Sequence, residues 1–381
     1  MAHLRAARAS AADVLLVSLG STAGLRRADD ELADSLRRAG ASVAVARAEP
    51  PAPLPTMMLT DLAWAHAARR AADGALGGPQ HGSPAGSASA RAVIYSTTTA
   101  ALLWSRPGAI RFDALAASNR PGRHGLWQRP LERRRLRQAP LLLPWSDGSL
   151  HGAPRAVADA RERSLVLPVP VEPSAPPAER RDIAAITYAA NPSKKGLDRV
   201  LAAWRQLRAE RRCGGADSSG GAVGLGGEGR AVGEGGADGE ELLIAGVSAA
   251  QLELAGLLAA GEPGVRVLGA LPPDDFRALL RRARVFVCAP RREDYGIVQL
   301  EALADGCQLV TTPAPGPYVA LPIARELDAR LVGDDLAGAL RAALDDPLGD
   351  YAERARVALA PFTRDAVDRL VAERLLPRLL A

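Results

Sequence analysis

The chain has 381 residues, of which 48% are hydrophobic and 24% are charged, and its formal net charge is +5. At roughly 100–200 residues per domain, this length predicts two domains, and the composition excludes a disordered or fibrous chain. The 3 cysteines are widely spaced, which excludes a disulfide framework and a C-x-x-C metal site. Because no apolar run reaches the ~20 residues of a membrane span, we expect a cytoplasmic protein. We also expect no resident metal or cofactor.

Short strand patterns alternate with amphipathic helical patterns along almost the whole chain. In the first series, strands are predicted at Asp13–Leu19, Ser42–Arg47, Ala92–Thr97 and Leu141–Trp145, and a helix at Asp29–Ala39. In the second series, strands are predicted at Ile183–Tyr188, Leu242–Gly246, Val265–Leu268, Val285–Ala289 and Leu309–Thr311. The helices of this second series are predicted at Gly196–Glu210, Ala249–Ala260, Asp274–Arg282 and Ile297–Asp305. Strands separated by helices indicate βαβ units and parallel sheets. The predicted fold class is therefore α/β, with two doubly wound parallel-sheet (Rossmann-like) domains that face each other across a cleft.

Changes in composition predict the domain boundaries. Residues 1–165 form an N-terminal domain, and a proline-rich linker follows at 166–181, where fixed φ angles and missing amide donors favour an extended chain. Residues 182–360 form the second domain. Its glycine-rich insertion at 211–240 has too few large apolar side chains to offset the entropy of ordering. Residues 361–381 form a C-terminal helix that can pack back on the N-terminal domain.

Two glycine-containing loops that follow predicted strands are candidates for binding an acceptor or a phosphate. Ligands of open parallel sheets bind outside the carboxyl ends of the strands, and glycines let a backbone approach them closely. The first loop contains Gly20, Ser21 and Gly24, but it lacks the G-x-G-x-x-G spacing of a dinucleotide fingerprint. The second is the stiff, proline-containing loop at 311–318, which contains Gly316.

Lysine occurs at only two of the 48 basic positions, Lys194 and Lys195. Both lie in a loop between a predicted strand and a predicted helix, at 188–196 (YAANPSKKG). Ammonium groups at a helix N-terminus suit a diphosphate, and the alternative is a pair of solvated surface lysines. In a chain that otherwise uses arginine, the retained lysines favour the phosphate role, because a compact ammonium fits where a wide guanidinium does not.

A fourth candidate loop runs from a predicted strand into a predicted helix at 290–301 (PRREDYGIVQLE). Glu293 lies in the loop and Glu301 lies inside the helix, and carboxylates at these places can accept hydrogen bonds from sugar hydroxyls. The backbone amides around Gly296 can bind phosphate. The alternative is that both glutamates are ordinary acidic residues of a helix start, favoured by the macrodipole.

The positive excess of the chain lies in one stretch, 120–137, which contains seven arginines and one glutamate. We call this stretch the basic segment. It can be a solvated helix face, or it can contact an anionic membrane at the cytoplasmic surface or hold a phosphorylated or lipid-linked acceptor. Nucleic acid is not expected, because no stacking platform or known nucleic-acid module accompanies the charge. The candidate residues are Arg120, Arg123, His124, Arg133, Arg134, Arg135 and Arg137.

The sequence EDYGIVQLE at 293–301 resembles the E-x7-E motif of retaining glycosyltransferases of the GT-B fold, in glycosyltransferase family 4. Lys195-Gly196 is similar to the end of that family's R-x-x-x-x-K-G element. The tract LVTTPAPGPY at 309–318 falls where the family has glycines that contact the sugar. The similarity runs over roughly residues 183–344, and more loosely over roughly residues 13–146.

This resemblance implies a hexosyltransferase that moves a sugar from a nucleotide-diphosphate sugar to an unidentified acceptor, with retention and without an obligatory metal. It implies that Lys195 neutralises the donor diphosphate, that Glu293 contacts the transferred sugar, and that Glu301 contacts the ribose hydroxyls. The other donor-binding candidates are Asn191, Lys194, Tyr295, Gly296, Ile297 and Val298.

Two positions depart from the family pattern. Ala190 stands where the family usually has an arginine, so Lys194 becomes the candidate for the second positive charge. The stretch 109–114 lacks the family's histidine, which leaves Asp113 or His124 for that catalytic role. These departures keep open a non-catalytic protein that binds nucleotide-sugars, and a nucleotide-sugar epimerase is a further alternative. A phosphorylase is disfavoured, because it needs a lysine for pyridoxal phosphate outside the phosphate loop.

Overall fold

The structure is a computed structural model that describes residues 12–52, 54–77, 90–120, 122–150, 161–217 and 240–381. The chain divides into two units. Unit 1 comprises residues 1–170 and 361–381, and unit 2 comprises residues 171–360. Most of the predicted glycine-rich insertion, 218–239, lies outside the described residues.

Unit 1 contains a five-stranded parallel sheet with the strand order β2-β1-β3-β4-β5. Its strands are β1 (Val14–Ser18), β2 (Val43–Arg47), β3 (Ala92–Tyr95), β4 (Ala109–Phe112) and β5 (Leu142–Pro144). Its helices include α1 (Ala23–Arg38), α2 (Met57–Ala75), α3 (Thr98–Ala101), α4 (Ala116–Asn119) and α5 (Gln128–Gln138). The apolar runs of β1 and β3 are buried, as expected for parallel strands covered on both faces.

Two elements of unit 1 differ from the sequence prediction. Helix α1 begins six residues earlier than predicted, because Thr22 caps it and accepts a hydrogen bond from the amide of Leu25 at 3.2 Å. Strand β4 was not predicted, because Arg111 interrupts its short apolar run.

The Arg111 side chain is nevertheless buried, and it is accommodated by two neighbours. Its guanidinium carbon lies 4.6 Å from the ring centroid of Trp145, and its Nη1 lies 3.6 Å from Oδ1 of Asp29. The other Asp29 oxygen accepts a hydrogen bond from Ser18 Oγ at 2.6 Å. A buried charge is costly to desolvate unless it is paired, so this arrangement makes an arginine possible inside β4.

Unit 2 contains a second five-stranded parallel sheet with the strand order β10-β9-β6-β7-β8. Its strands are β6 (Ile183–Tyr188), β7 (Leu242–Ala245), β8 (Val265–Gly269), β9 (Ala283–Cys288) and β10 (Gln308–Thr311). Its helices are α6 (Pro192–Lys195), α7 (Leu197–Asp217), α8 (Ala249–Leu254), α9 (Pro273–Arg282), α10 (Ile297–Ala304), α11 (Ala320–Leu327), α12 (Leu336–Asp345) and α13 (Tyr351–Ala358). The strand order reverses at the neighbours β6 and β9, and this switch point is where open parallel sheets bind ligands.

The C-terminal residues belong to unit 1. Helices α14 (Arg364–Leu370) and α15 (Leu376–Leu380) flank a π-helical turn at Val371–Leu375. Val371 and Leu375 are fully buried in a cluster with Leu36 of α1. The unit 1 core is therefore completed by residues from the far end of the chain. No described helix is long and apolar enough to cross a membrane.

We expect the stability of the protein to depend on the ionisation of Glu132 in α5. This side chain is buried and accepts hydrogen bonds from the amide of Ala116, and burial raises the pKa of Glu132 from 4.5 to about 7. Because the folded state then holds a proton that the unfolded state releases, the free energy of unfolding falls as the pH rises from about 5 to about 8. Glu132→Gln keeps an acceptor for the amide and removes the titration.

The unfolding free energy of Glu132→Gln relative to the wild type should therefore rise by about 2–3 kcal/mol between pH 5 and pH 8. Urea denaturation at both pH values measures this difference. Glu353→Gln, at an exposed position of α13, is the control. An equal pH dependence in the wild type and Glu132→Gln would contradict the assignment.

Candidate functional site

The candidate site lies at the switch point of the unit 2 sheet, where the loops after β6 and β9 leave neighbouring parallel strands. Ala185 of β6 pairs with Val285 of β9, so the two strands end at the same edge of the sheet. The loops also contact each other directly, because the amide of Arg291 donates to the carbonyl of Lys194 at 2.9 Å. The loop at 188–196, called the lysine loop, therefore forms one surface with the loop at 290–301, called the glutamate loop.

Two glycines allow the loops of this site to approach closely. Gly196 has a φ of +62°, and a Cβ atom built on it would lie 1.8 Å from the carbonyl oxygen of Ala289. Gly316 has a φ of +115°, and its Cβ would lie 2.1 Å from the carbonyl oxygen of Glu293. Both conformations and both contacts require glycine. The predicted role of Gly316 at an acceptor or phosphate stays a prediction, whereas its packing against Glu293 is observed.

The central contact of the site joins Lys195 to Glu293. Lys195 Nζ lies 2.6 Å from Glu293 Oε2, and the same oxygen accepts a second hydrogen bond from Gln299 Nε2 at 3.0 Å. Glu293 and Gln299 are both buried. Because both donors use Oε2, the second carboxylate oxygen of Glu293 is left to accept a further hydrogen bond.

Gln299 was missed by the sequence prediction. It lies in the first turn of α10, in the otherwise apolar run IVQL. A buried amide side chain among apolar residues needs a hydrogen-bond partner, and this was the signal available in the sequence. The partner itself could not be predicted.

A second group of charges lies beside the first. Asp294 Oδ2 is 3.0 Å from Lys194 Nζ, and Asp294 Oδ1 accepts a hydrogen bond from Arg292 Nε at 2.8 Å. One carboxylate therefore bridges the predicted donor-binding residue Lys194 to Arg292, which the sequence did not single out. The neighbouring Arg291 instead forms a two-pronged ion pair with Asp198.

Glu301 lies inside α10, as the sequence predicts, and is paired with a buried arginine. Arg277 Nη1 of α9 lies 3.5 Å from Glu301 Oε1, and Arg277 Nε donates to Asp305 Oδ2 at 2.6 Å. All three side chains are buried. The contact with Arg277 orients the Glu301 side chain, whose carboxylate oxygens can accept hydrogen bonds.

The N-terminus of α10 has no side-chain cap. Its N-cap residue is Gly296, which has a φ of +93° and no side chain that could accept hydrogen bonds from the first helical amides. Ile297 and Val298, the first two helical residues, are half-buried, and Tyr295 is buried. Uncapped amides at a helix N-terminus attract anions.

Ala190 and Asn191 lie near the start of the lysine loop, directly after β6. Asn191 Oδ1 accepts a hydrogen bond from the amide of Lys194 at 2.9 Å, so this predicted donor-binding residue caps the short helix α6. Ala190 borders a cavity of about 530 Å³ at the carboxyl ends of β6 and β7. The lining includes Ala190, Asn191, Val247, Gln251, Leu257 and Arg291.

The remaining predicted site residues lie in unit 1. Gly20 has a φ of +57°, and its carbonyl accepts a hydrogen bond from Arg26 Nη1 at 2.8 Å. Ser21 and Gly24 lie at the start of α1, and Asp113 follows β4, where its Oδ1 accepts a hydrogen bond from the next amide, that of Ala114, at 2.8 Å. The described contacts assign no ligand to these residues, and their roles stay predictions.

The basic segment divides into half-buried and exposed arginines. Arg120 Nε pairs with Asp61 at 2.7 Å, and Arg135 lies 5.1 Å from the ring centroid of Trp104 and donates to the carbonyl of Leu102. These two arginines hold the fold of unit 1. Five of the predicted residues are exposed, namely Arg123, His124, Arg133, Arg134 and Arg137.

Exposed apolar side chains accompany these charges. Leu126 of the segment is 63% exposed, and the 3₁₀ helix Gly122–Gly125 contacts α2. The start of α2 presents Met57, which is 52% exposed, together with Met58 and Leu59. The segment is therefore one part of a mixed basic and apolar surface.

Among the described residues, no group of three or more His, Cys, Asp or Glu side chains is placed to hold a metal ion.

Comparisons with known proteins identify the fold. Residues 236–350 match the family described as Glycosyl transferases group 1. The chain is similar in structure to WaaG, a glycosyltransferase involved in lipopolysaccharide biosynthesis, with a TM-score of 0.61, 15% sequence identity, and coverage of 96% of this chain and 99% of that chain. It is also similar to sucrose-phosphate synthase from Thermosynechococcus elongatus, with a TM-score of 0.61, 14% identity, and coverage of 96% and 98%.

A third similar structure is a trehalose-6-phosphate synthase, with a TM-score of 0.61, 13% identity, and coverage of 95% and 98%. No curated protein sequence matches the chain. The chain thus has the GT-B fold, which confirms the predicted pair of parallel-sheet α/β domains.

Replacing Gly196 should destabilise unit 2, because an added Cβ would clash with the backbone carbonyl oxygen of Ala289. The backbone would have to shift to relieve this clash. The control is Gly261→Ala, since Gly261 has a similar φ of +67° and nothing within 4 Å of its Cβ position. We expect a loss of about 1–2 kcal/mol in Gly261→Ala from the left-handed backbone alone, and about 3 kcal/mol or more in Gly196→Ala. Urea denaturation of both variants measures the losses, and equal losses would show that the close approach is not rigid.

Proposed function

We propose that this protein is a glycosyltransferase that moves a hexose from a nucleotide-diphosphate sugar to an acceptor, with retention of the anomeric configuration and without a metal. Family 4 of the glycosyltransferases is the class that its motifs resemble. The fold and the matched domain support the general class. The arrangement of Lys195, Glu293 and Gln299 at the switch point supports the particular reaction.

Lys195 would neutralise the charge that develops on the leaving diphosphate. Its ammonium is held 2.6 Å from Glu293 and is partly buried, so it is oriented before the donor arrives. A preorganised positive charge in a partly dry site stabilises a developing anion more strongly than a charge in water does. The uncapped amides after Gly296 would also donate hydrogen bonds to the phosphate oxygens.

Glu293 and Glu301 would bind the sugar and the ribose. Both donors to Glu293 use Oε2, and its Oε1 can accept a hydrogen bond from a hydroxyl of the transferred sugar. Glu301 would accept hydrogen bonds from the ribose hydroxyls while its contact with Arg277 holds the carboxylate in place. Asp113 of unit 1 is the proposed catalytic residue on the acceptor side.

Lys195 variants test this proposal most directly. Lys195→Ala should lower the transfer rate constant at least ~100-fold, because loss of one preorganised charge typically costs 10²–10³-fold. Lys195→Arg should not fully restore the rate, because a guanidinium is wider than an ammonium. A thermal-shift screen with UDP-, GDP- and ADP-sugars identifies the donor, and product formation from that donor is then measured. Arg199→Ala, at an exposed position of α7, is the control.

The outcomes separate the alternatives. Full activity in Lys195→Arg would contradict the special role of the lysine. Donor binding without transfer or hydrolysis, in the wild type as in Glu293→Ala, would favour a non-catalytic nucleotide-sugar-binding protein. Conversion of the donor into its epimer would indicate the epimerase alternative.

We further propose that the mixed basic and apolar surface of unit 1 binds the cytoplasmic face of an anionic membrane. Unit 1, which would bind the acceptor, would then lie next to the lipid. Arginines attract anionic headgroups, and exposed methionine and leucine side chains can enter the interface. A phosphorylated or lipid-linked acceptor would gain from the same charges. Nucleic acid is not part of this proposal.

Liposome flotation tests the membrane contact. The wild type should float with vesicles that contain phosphatidylglycerol and remain behind with pure phosphatidylcholine. The triple variant Arg133→Gln, Arg134→Gln, Arg137→Gln should lose most of this binding, because each basic residue near the surface contributes about 1 kcal/mol. The charge-matched control is Arg199→Gln, Arg212→Gln, Arg325→Gln, at exposed positions of unit 2. Equal loss in both variants would indicate unspecific attraction.

A further inference from the structure

The site has fewer positive charges in the lysine loop than the proposed reaction calls for. The related pattern has an arginine where this chain has Ala190, and Ala190 borders an open cavity. Lys195 is already engaged by Glu293. A nucleoside diphosphate carries more negative charge than one lysine neutralises, so a second cation is required from elsewhere in the site.

Two cations lie next to Lys195, and both contact Asp294. Lys194 is 44% exposed, and its ammonium contacts Asp294 at 3.0 Å. Arg292 is 25% exposed, and its Nε donates to the other oxygen of Asp294 at 2.8 Å. The two side chains differ in whether a buried nitrogen is left without a hydrogen-bond partner. Nη2 of Arg292 is buried and has no hydrogen-bond partner among the described residues.

An unpaired buried guanidinium nitrogen is unfavourable, because the donor has lost its water without gaining an acceptor. A phosphate oxygen is the strongest acceptor that could complete it, and a planar guanidinium suits phosphate geometry. Arg292 also sits directly before Glu293, so it leaves the sheet at the switch point together with the proposed sugar-binding carboxylate. Asp294 holds it there from its other side.

The geometry points to Arg292 as a diphosphate-binding residue, which supplies from the loop after β9 the positive charge that is missing at Ala190. Asp294 positions its guanidinium by the bond to Nε. Lys194, on the same carboxylate, then contributes a more solvated charge at the rim. This inference rests on the proposed function, since it assigns a residue to the donor site.

Arg212 offers a charge-matched control. It lies at an exposed position near the C-terminal end of α7, away from the loops after β6 and β9. Arg212→Gln and Arg292→Gln therefore change the net charge equally, but only Arg292→Gln removes a guanidinium of the candidate site.

Titration calorimetry with the full-length protein tests the inference, using UDP, GDP and ADP, inorganic pyrophosphate, and the nucleoside of whichever diphosphate binds. Arg292→Gln should weaken diphosphate and pyrophosphate binding at least ~10-fold and leave binding of the nucleoside unchanged. Arg212→Gln should stay within about twofold of the wild type. A structural defect would weaken the nucleoside as well, so the contrast between probes isolates the phosphate contact.

Lys195→Ala separates the two levels of the proposal. If Lys195→Ala loses diphosphate binding while Arg292→Gln keeps it, the role of Arg292 is overturned and the proposed function stands. If the wild type binds no nucleoside diphosphate, both are overturned. If Arg292→Gln does not fold, Arg292→Lys decides. It keeps the charge without Nη2, so weakened diphosphate binding supports the inference and wild-type affinity overturns it.

Discussion

The site depends on the close approach of two loops at the reversal of strand order in unit 2. The loops after β6 and β9 leave adjacent parallel strands, and Gly196 lets one backbone pass against the carbonyl of Ala289. That approach brings Lys195 within 2.6 Å of Glu293. Without it, the lysine and the carboxylate would be separate surface charges, worth little to stability or to binding. Backbone packing thus creates the electrostatics of the site.

Once the loops are together, the charges form alternating pairs instead of one positive patch. Glu293 faces Lys195, and Asp294 faces Lys194 and Arg292. Such pairing keeps cations ordered in a partly buried place where unpaired charges would be costly. In the proposed function, an arriving diphosphate would take the place of these carboxylates beside cations that are already in position, which would limit the entropy lost on binding. The same pairing explains how an arginine-rich chain can carry dense charge at the candidate site and stay folded.

Buried arginines recur in the two units, and they explain what the sequence patterns missed. Arg111 interrupts the apolar run of β4 and is matched by Asp29 and Trp145, and Arg277 of α9 is matched by Glu301 and Asp305. A hydrophobic pattern treats an arginine as exposed, so β4 was not predicted and the partner of Glu301 could not be named. Gln299 and Arg292 belong to the same class of omission. Each is a polar side chain whose partner, Glu293 or Asp294, lies in the loop after β9.

The sequence by itself determined the α/β class, the two series of strands, the order of the loops and the candidate site residues, because apolar periodicity, turn residues and motifs are local properties. Its choice of Lys195 and Glu293 followed from lysine scarcity and from a motif. Only the tertiary structure decided that these two residues touch, that Gln299 donates to Glu293, that Arg292 pairs with Asp294, and that Arg120 and Arg135 of the basic segment support the fold. Contacts across neighbouring strands depend on register and on strand order, which no local pattern encodes.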